Sequence, residues 1–303
     1  MIEGIHAILR NEGFNLIGVL NRVDALFPGW IDAWLERGYA ATMDWMKKHR
    51  PIREDPCSII EGGQSIISLA FPYSTEPPDS WIVKNPISNY AWGEDYHVVL
   101  RKKLKKVMLS LSNEIPGFQG RFFIDTAPLP EKLIAARAGL GWIGKNSMLI
   151  HPKFGSYLFL AEIVTNIKLP TSDHSQKDLC GDCTFCIENC PTNSIKSDRF
   201  IDARTCISYL TIEKRGAFTS QEADSIEYQV FGCDICQKIC PWNKSVAKST
   251  DSPFSCFNRW KNLNIEDLTN LTEDAFGRMK QKSPIKRAKL EGLKRNAAAV
   301  LNR

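Results

Sequence analysis

The chain has 303 residues, 43% of them hydrophobic and 24% charged, the make-up of a globular protein with room for two domains and a core that needs no disulfides. It holds no run of about eighteen apolar residues, which excludes a membrane-spanning helix, and its start, MIEGIHAILRNEGF, has neither the parts of a secretory signal nor a twin-arginine pair. The expectation is a cytoplasmic protein whose ten cysteines are reduced, serving as metal ligands rather than bridges.

In chain order, IDAWLERGYAATMDWMKKH (31–49) reads as helical and QSIISLAFPY (64–73) as a buried strand. DYHVVLRKKLKKVMLSLSNEI (95–115) is an amphipathic helix, with Leu100, Leu104, Val107, Met108 and Leu111 on one face and lysines opposite. GRFFIDTAP (120–128) and GSYLFLAEIVTNI (155–167) read as strands, and EKLIAARAG (131–139) between them as a short helix closed by Gly139. Residues 1–167 therefore form a mixed α/β domain. The polar stretch KLPTSDHSQKD (168–178) opens a cysteine-rich domain expected over 168–250, and 251–303 is a basic helical segment. The net charge of +5 is mild, yet residues 278–303 hold nine Lys or Arg against one acid, Glu291. Such a tail points to a polyanion such as nucleic acid, or equally to a solvated helical face.

GLGWIGKN (139–146) satisfies GxGxxG and most of a P-loop. Both uses need a strand before the loop and a helix after it, so that phosphate meets a helix N-terminus. Here the order is reversed, and Asn146 stands where the P-loop has Ser or Thr. A nucleotide site is rejected. The glycines instead permit close approach of the backbone to a neighbour or to something large and flat.

CGDCTFCIENCP (180–191) packs four cysteines into eleven residues and adds a proline. This is ferredoxin-type 4Fe–4S spacing, in which the fourth cysteine ligates the other cluster. CDICQKICPW supplies Cys233, Cys236 and Cys240. The crossing rule gives one cluster to Cys180, Cys183, Cys186 and Cys240. The other takes Cys190, Cys233 and Cys236, with Cys206 (RTCISY) completing it, because Ile239 occupies the place of a regular third cysteine. Zinc is the alternative. Cys57 and Cys256 stand alone and read as unreactive thiols. A two-cluster electron wire needs a terminus, which the N-terminal domain must supply.

FFIDTAP, ARAGLGWIGKNSMLI, FGSYLFLAEI, the two cysteine runs and IKRAKLEGLKRNAA together resemble the epoxyqueuosine reductases over nearly the whole chain. The resemblance implies a nitroreductase-related cobalamin-binding domain, a ferredoxin-like domain with two 4Fe–4S clusters, and reduction of epoxyqueuosine to queuosine at the wobble base of tRNA. It implies a monomer served by a low-potential electron donor of unknown identity. It makes Asp125, after the apolar RFFI, the proton donor, a role that requires desolvation or nearby negative charge to keep a carboxyl protonated; capping of the following turn is the plain alternative. Candidate corrin contacts are Arg53, Tyr96, Asp125, Gly141, Gly144, Ser147 and Leu149 on one strand face, Tyr157 and Leu160 on the next strand, and Ser208 and Asp234 beside cluster ligands. Lys214 and Arg215 are candidate tRNA contacts, and His97 and His151 are set aside as cobalt ligands because the family binds cobalamin without a protein histidine. Longer relatives continue into a helical-repeat domain beyond KLEGLKRNAA, so RNA contacts are expected from the body and the basic tail. A reductive dehalogenase, a plain electron carrier and a zinc-stabilised RNA-binding protein are the competing readings.

Overall fold

A computed structural model describes the chain except for residues 78–85, 173–176, 197–198, 249–252, 258–259 and 261–262. Part of the expected boundary stretch 168–178 and the expected boundary at 250/251 lie outside the described residues. Two compact units emerge, each built from separated stretches of chain. Among the described residues no helix is long and apolar enough to cross a membrane.

The first unit comprises residues 1–38, 44–72 and 97–183. Its sheet contains β1 (Leu16–Asn21), β2 (Ser65–Pro72), β3 (Gly120–Phe123) and β6 (Leu158–Thr165) in the order β1-β2-β6-β3, antiparallel throughout. β4 (Trp142–Ile143) and β5 (Leu149–Ile150) form a separate hairpin. Around these lie α1 (Ile2–Asn11), α2 (Asp32–Glu36), α3 (Trp45–Lys48), α4 (Arg50–Glu54), α5 (Tyr96–Glu114) and α6 (Glu131–Arg137). β2 and β6 are apolar runs with few exposed positions, as befits central strands. On α5 the expected face is in place: Leu100, Leu104, Val107 and Leu111 are fully buried, while Lys102, Lys105 and Lys106 are exposed.

The sheet face bearing Leu20, Ile66, Val164 and Phe123 packs with Ile134 and Ala138 in one apolar cluster. Ala70 and Leu158 join Ala135, Leu140 and Leu149 in the adjoining one. The approach of helix to sheet is close enough to require glycine on β1: a Cβ on Gly18 would lie 2.3 Å from the Ala138 carbonyl oxygen. After α6 comes the β4–β5 hairpin, so Gly139–Gly144 joins a helix to a hairpin, the reverse of a phosphate loop.

Three expectations need correction. The helix expected over 31–49 is broken into α2 and α3, because Gly38 (φ 66°) and Ala41 (φ 51°) take left-handed conformations that no helix continues through. The strand expected over 120–128 stops at Phe123, since Asp125 has φ 51°. Ser147 and Leu149 do not share a strand face: Leu149 is on β5, whereas Ser147 sits in the preceding turn at φ 58°.

The second unit comprises residues 39–43, 73–96 and 184–303. It is helical, with α7 (Phe185–Glu188), α8 (Ile207–Ile212), α9 (Ser220–Ser225), α10 (Ile235–Lys238) and three later helices, Ile265–Thr269, Glu273–Met279 and Lys289–Leu301. α9 opens with a capping box between Thr219 and Glu222. One of its apolar clusters gathers Trp92, Phe231, Trp260, Leu293 and Ala297. The C-terminal helix is pinned by Asn296, wholly buried, whose amide donates to the Thr211 and Val230 carbonyls at 2.8 Å each.

Gly18→Ala is expected to destabilise the protein by about 1–3 kcal/mol, the usual cost of overpacking, seen as a lowered thermal midpoint. An unchanged midpoint would contradict the helix-on-sheet contact.

Candidate functional site

Asp125 follows β3 directly, and its exposure sets it apart from its neighbours: Phe123 and Ile124 are buried, whereas the Asp125 side chain is 66% exposed. Its left-handed backbone turns the chain out of the sheet into TAPLP, where Pro128 and Pro130 have no amide hydrogen to bond. The Asp125 amide donates to Glu131 Oε1 at 2.8 Å. His97 on α5 brings Nε2 to 4.0 Å from Asp125 Oδ2; set aside above as a cobalt ligand, it stands instead beside the carboxylate.

Behind Asp125 lies a carboxyl pair that the sequence reading passed over. Glu162, in the middle of β6 opposite Ser68 on β2 and Phe123 on β3, has no exposed surface. The Ser68 hydroxyl donates to its Oε1 at 3.4 Å, and its Oε2 has no hydrogen-bond partner. Glu131 at the start of α6 is intermediate in exposure, but its carboxyl is enclosed by protein. Burial, then the neighbouring Asp125 charge, pushes Glu131 up to about 8. Burial and Glu131 raise Glu162 well above the carboxylate range. Arg53 on α4 is buried, with Nε lacking a partner; desolvation lowers its guanidinium and Glu131 opposes that. The lone acid within FLAEIV was the available signal, since a charge in an apolar strand must be neutralised or paired.

The remaining corrin candidates divide by exposure. A Cβ on Gly141 (φ 150°) would lie 2.2 Å from the Ile150 carbonyl oxygen, and one on Gly144 would lie 2.5 Å from the Ile150 side chain. Leu149 and Tyr157 are buried, while Ser147 and Leu160 keep surface accessible to a ligand. The Ser147 carbonyl accepts from Lys132 Nζ at 2.7 Å. In the second unit, Tyr96 is buried with an edge-on contact to Tyr90, and Ser208 is partly exposed. The Asp234 carboxylate is engaged by the Ser88 hydroxyl and by the Asn89 amide at 2.6 Å.

None of the ten cysteines is joined in a disulfide. Within the second unit Cys233 lies near Cys206 and Cys190, and Cys236 near Cys233, Cys206 and Cys186; burial drives both thiols up, against the Ile235 amide at Cys233, with the Asp234 carboxylate and the neighbouring cysteines adding to it. Burial also acts on Cys190, but the Thr192 hydroxyl and the amides of Thr192, Ser194 and Ile195 outweigh it and bring the thiol below its ordinary range. The Ser194 amide reaches the Cys190 sulfur at 3.3 Å. Gathered cysteines with N–H donors at Cys190 and Cys233 suit iron–sulfur ligation, where thiolates bind cationic iron and accept hydrogen bonds. In the first unit, Cys180 accepts from Trp142 Nε1 at 3.4 Å and its carbonyl from the Cys183 amide at 3.0 Å. Among the described residues no group of three or more His, Cys, Asp or Glu is arranged to hold a metal ion as the side chains stand; a 4Fe–4S cube is a larger object, with thiolates around four irons. Cys240 is buried. Cys57 is buried and pushed up to about 12 by desolvation and Asp55, in keeping with an inert thiol.

Much of the basic tail is engaged internally. Lys286 pairs with buried Asp95 at 2.6 Å, Arg287 with Glu213 at 2.8 Å and Arg303 with Glu227 at 3.1 Å. Arg295 lies 3.9 Å over the Phe218 ring and donates to the carbonyls of Leu210, Lys214 and Gly216. Lys214 pairs with Glu222 at 3.0 Å, and Arg215 donates to the carbonyls of Ile212 and Arg287.

Glu131 and Glu162 are both raised, so their contribution to stability is complete below the ordinary carboxylate range and declines as pH rises toward about 8. Glu162→Gln is therefore expected to be more stable than the wild type at pH 9, by about 1–3 kcal/mol, with the difference shrinking at pH 5. Denaturant unfolding at both pH values measures this, and an equal difference at the two would contradict it.

Residues 53–126 match the family model "Epoxyqueuosine reductase QueG, DUF1730", and residues 179–243 match "4Fe-4S double cluster binding domain". The epoxyqueuosine reductase of Cyclobacterium marinum is 40% identical over 273 residues, covering 90% of this chain and 87% of that protein. The Bacillus subtilis epoxyqueuosine reductase structure, which has its catalytic aspartate loop swung out of the active site, superposes with a TM-score of 0.89 at 25% identity, over 99% of this chain and 80% of that one. An epoxyqueuosine reductase crystallised with an epoxyqueuosine-modified tRNA-Tyr stem loop gives 0.88 at 25% identity and the same coverage. On this evidence of sequence and fold, the chain belongs to the epoxyqueuosine reductase family.

Proposed function

We propose that this chain reduces epoxyqueuosine to queuosine at the wobble position of tRNA, in the cytoplasm, as a monomer served by a low-potential electron donor. The observation that carries the reading is the exposed Asp125, held on a left-handed turn at the end of an apolar strand, in a chain that also carries the double-cluster cysteine pattern. The architecture proposed is a nitroreductase-related domain for cobalamin and a ferredoxin-like domain for two 4Fe–4S clusters.

Bound cobalamin would supply a strongly nucleophilic low-valent cobalt, and the clusters the single electrons that keep it reduced. Arg53, Ser147, Leu160, Ser208 and the backbone of the β4–β5 hairpin are the groups proposed to hold it. One cluster would take Cys180, Cys183, Cys186 and Cys240, and the other Cys190, Cys206, Cys233 and Cys236.

The chain's own part in the chemistry is the proton. Opening an epoxide and removing its oxygen as water, leaving a double bond, consumes two electrons and two protons. Oxygen leaves poorly as an anion, so Asp125 protonates it as it departs. Glu131, which accepts from the Asp125 amide, and His97, 4.0 Å from its carboxylate, are the groups proposed to orient Asp125. Lys214 and Arg215 are proposed tRNA contacts; Glu222 and the Ile212 carbonyl fix the loop on which they sit, and phosphate contacts of this kind position an RNA without reading its sequence.

Turnover of epoxyqueuosine-containing tRNA by anaerobically purified protein, given cobalamin and a low-potential reductant, tests the function; no product would sink it. Asp125→Asn is expected to keep both clusters and corrinoid uptake while losing about a hundredfold or more in turnover, the range of a lost general acid; full activity would remove Asp125 from that role. Cys206→Ala is expected to lower iron and sulfide content by about half, as one of two clusters is lost, and unchanged content would overturn the ligand assignment.

A further inference from the structure

The Asp125 turn raises a question that the proton-donor role alone does not answer. A non-glycine residue with left-handed backbone is held by its surroundings, although aspartate tolerates the conformation better than most. β3 has already ended, and two of the next five residues are prolines with no amide to offer. The hydrogen bond that ties this backbone down comes from a side chain, Glu131, six residues later on α6. α6 is itself fixed by the tight Gly18–Ala138 approach, so Glu131 is a firm point and the Asp125 turn is what it holds.

We infer that Glu131 is a positioning residue for the proton donor: its carboxylate latches the Asp125 amide, and Glu162 behind it sets the strength of that latch. The inference rests on the proposed role of Asp125. Glu162 supports it because a wholly buried carboxyl is costly as a purely structural choice, and its side chain bears on the Glu131 carboxyl that holds the turn. It stands beside Phe123 in the register that carries β3 toward Asp125. The charged and titratable groups facing Glu131 are Asp125 at the end of β3, Glu162 on β6, Arg53 on α4 and Lys132 on its own helix; Ser68 on β2 faces Glu162, and His97 on α5 faces Asp125. An ionised carboxylate accepts an amide bond more strongly than a neutral carboxyl. The latch accordingly tightens as Glu131 ionises and loosens as it takes a proton. In the Bacillus subtilis relative the catalytic aspartate loop is seen swung out of the active site, and a latch on that backbone is a device for governing such an excursion here.

Hydrogen exchange on the cluster-loaded protein tests this independently of turnover. In Glu131→Ala, protection of residues 124–127 is expected to fall about tenfold to a hundredfold, the equivalent of one charge-assisted hydrogen bond, with β2 and β6 still protected. Glu131→Gln keeps an acceptor oxygen and is expected to retain most of the protection while losing its rise between pH 6 and 9. In turnover, Glu131→Ala should lower kcat with KM for the tRNA nearly unchanged, and Glu131→Gln should restore much of it. Unchanged protection in Glu131→Ala, or an effect on KM alone, overturns the latch. Should Glu131→Ala not fold, Glu162→Leu decides: without the Glu162 side-chain hydrogen bond, which favours its ionised form, Glu131 should ionise at higher pH, moving the rise in protection up, and a rise left in place overturns the inference. A wild type that fails to turn over tRNA sinks the proposed function, whereas the exchange result still stands or falls by itself.

Discussion

The seating of α6 on the sheet is the contact on which the candidate site depends. The helix carries Glu131 at its first turn and leads, through Gly139, into the hairpin that holds Ser147 and Leu149. Its C-terminal end meets Gly18 so closely that β1 has no space for even a methyl group. Arg137, 4.2 Å over the Phe27 ring and bonded to the Asp24 and Leu26 carbonyls, fastens the same end. A carboxylate on a helix that shifts by an ångström misses a hydrogen bond altogether. The precision at Asp125 is thus set by packing some distance away.

Several enclosed ionisable groups have a partner of suitable chemistry: Ser88 and Asn89 for Asp234, Lys286 for Asp95, backbone amides for Cys190. Glu162 and the thiols of Cys233 and Cys236 are different: burial holds all three firmly in their neutral forms. Groups of this kind gather where function is expected. Here they mark two places, the strand behind the proton donor and the cysteine framework.

The sequence disclosed those features whose signal is local. α5 was legible because Leu100, Leu104, Val107 and Leu111 repeat with the helical period and all four are buried, and β2 and β6 because apolar runs of their length suit central strands. The cysteine spacing is likewise local. The break between α2 and α3 was not legible: Tyr39–Met43 belong with the second unit, where Ala41 and Met43 pack against Ile207, Leu210 and Ile226, far along the chain. β1 escaped notice because Gly18, a weak strand former, sits in its middle. Asp125 was found through family resemblance, while Glu131 looked like an ordinary acid favouring a helix N-terminus. Its inward hydrogen bond to Asp125 leaves no mark on composition or period.

The interleaving of the units bears on how the protein is made. The second unit draws on residues 39–43 and 73–96 as well as on everything after 184, and its C-terminal helix supplies Asn296 and Leu293 to the core. On the ribosome, the early segments must wait, their apolar residues exposed, until the last helix emerges. Contacts between residues so distant in sequence slow folding and lengthen exposure to aggregation and proteolysis. Cutting the gene at the start of the cysteine-rich region would separate Ile87 from Phe231 and leave two incomplete pieces, so for this molecule the two halves are not modules that could be exchanged.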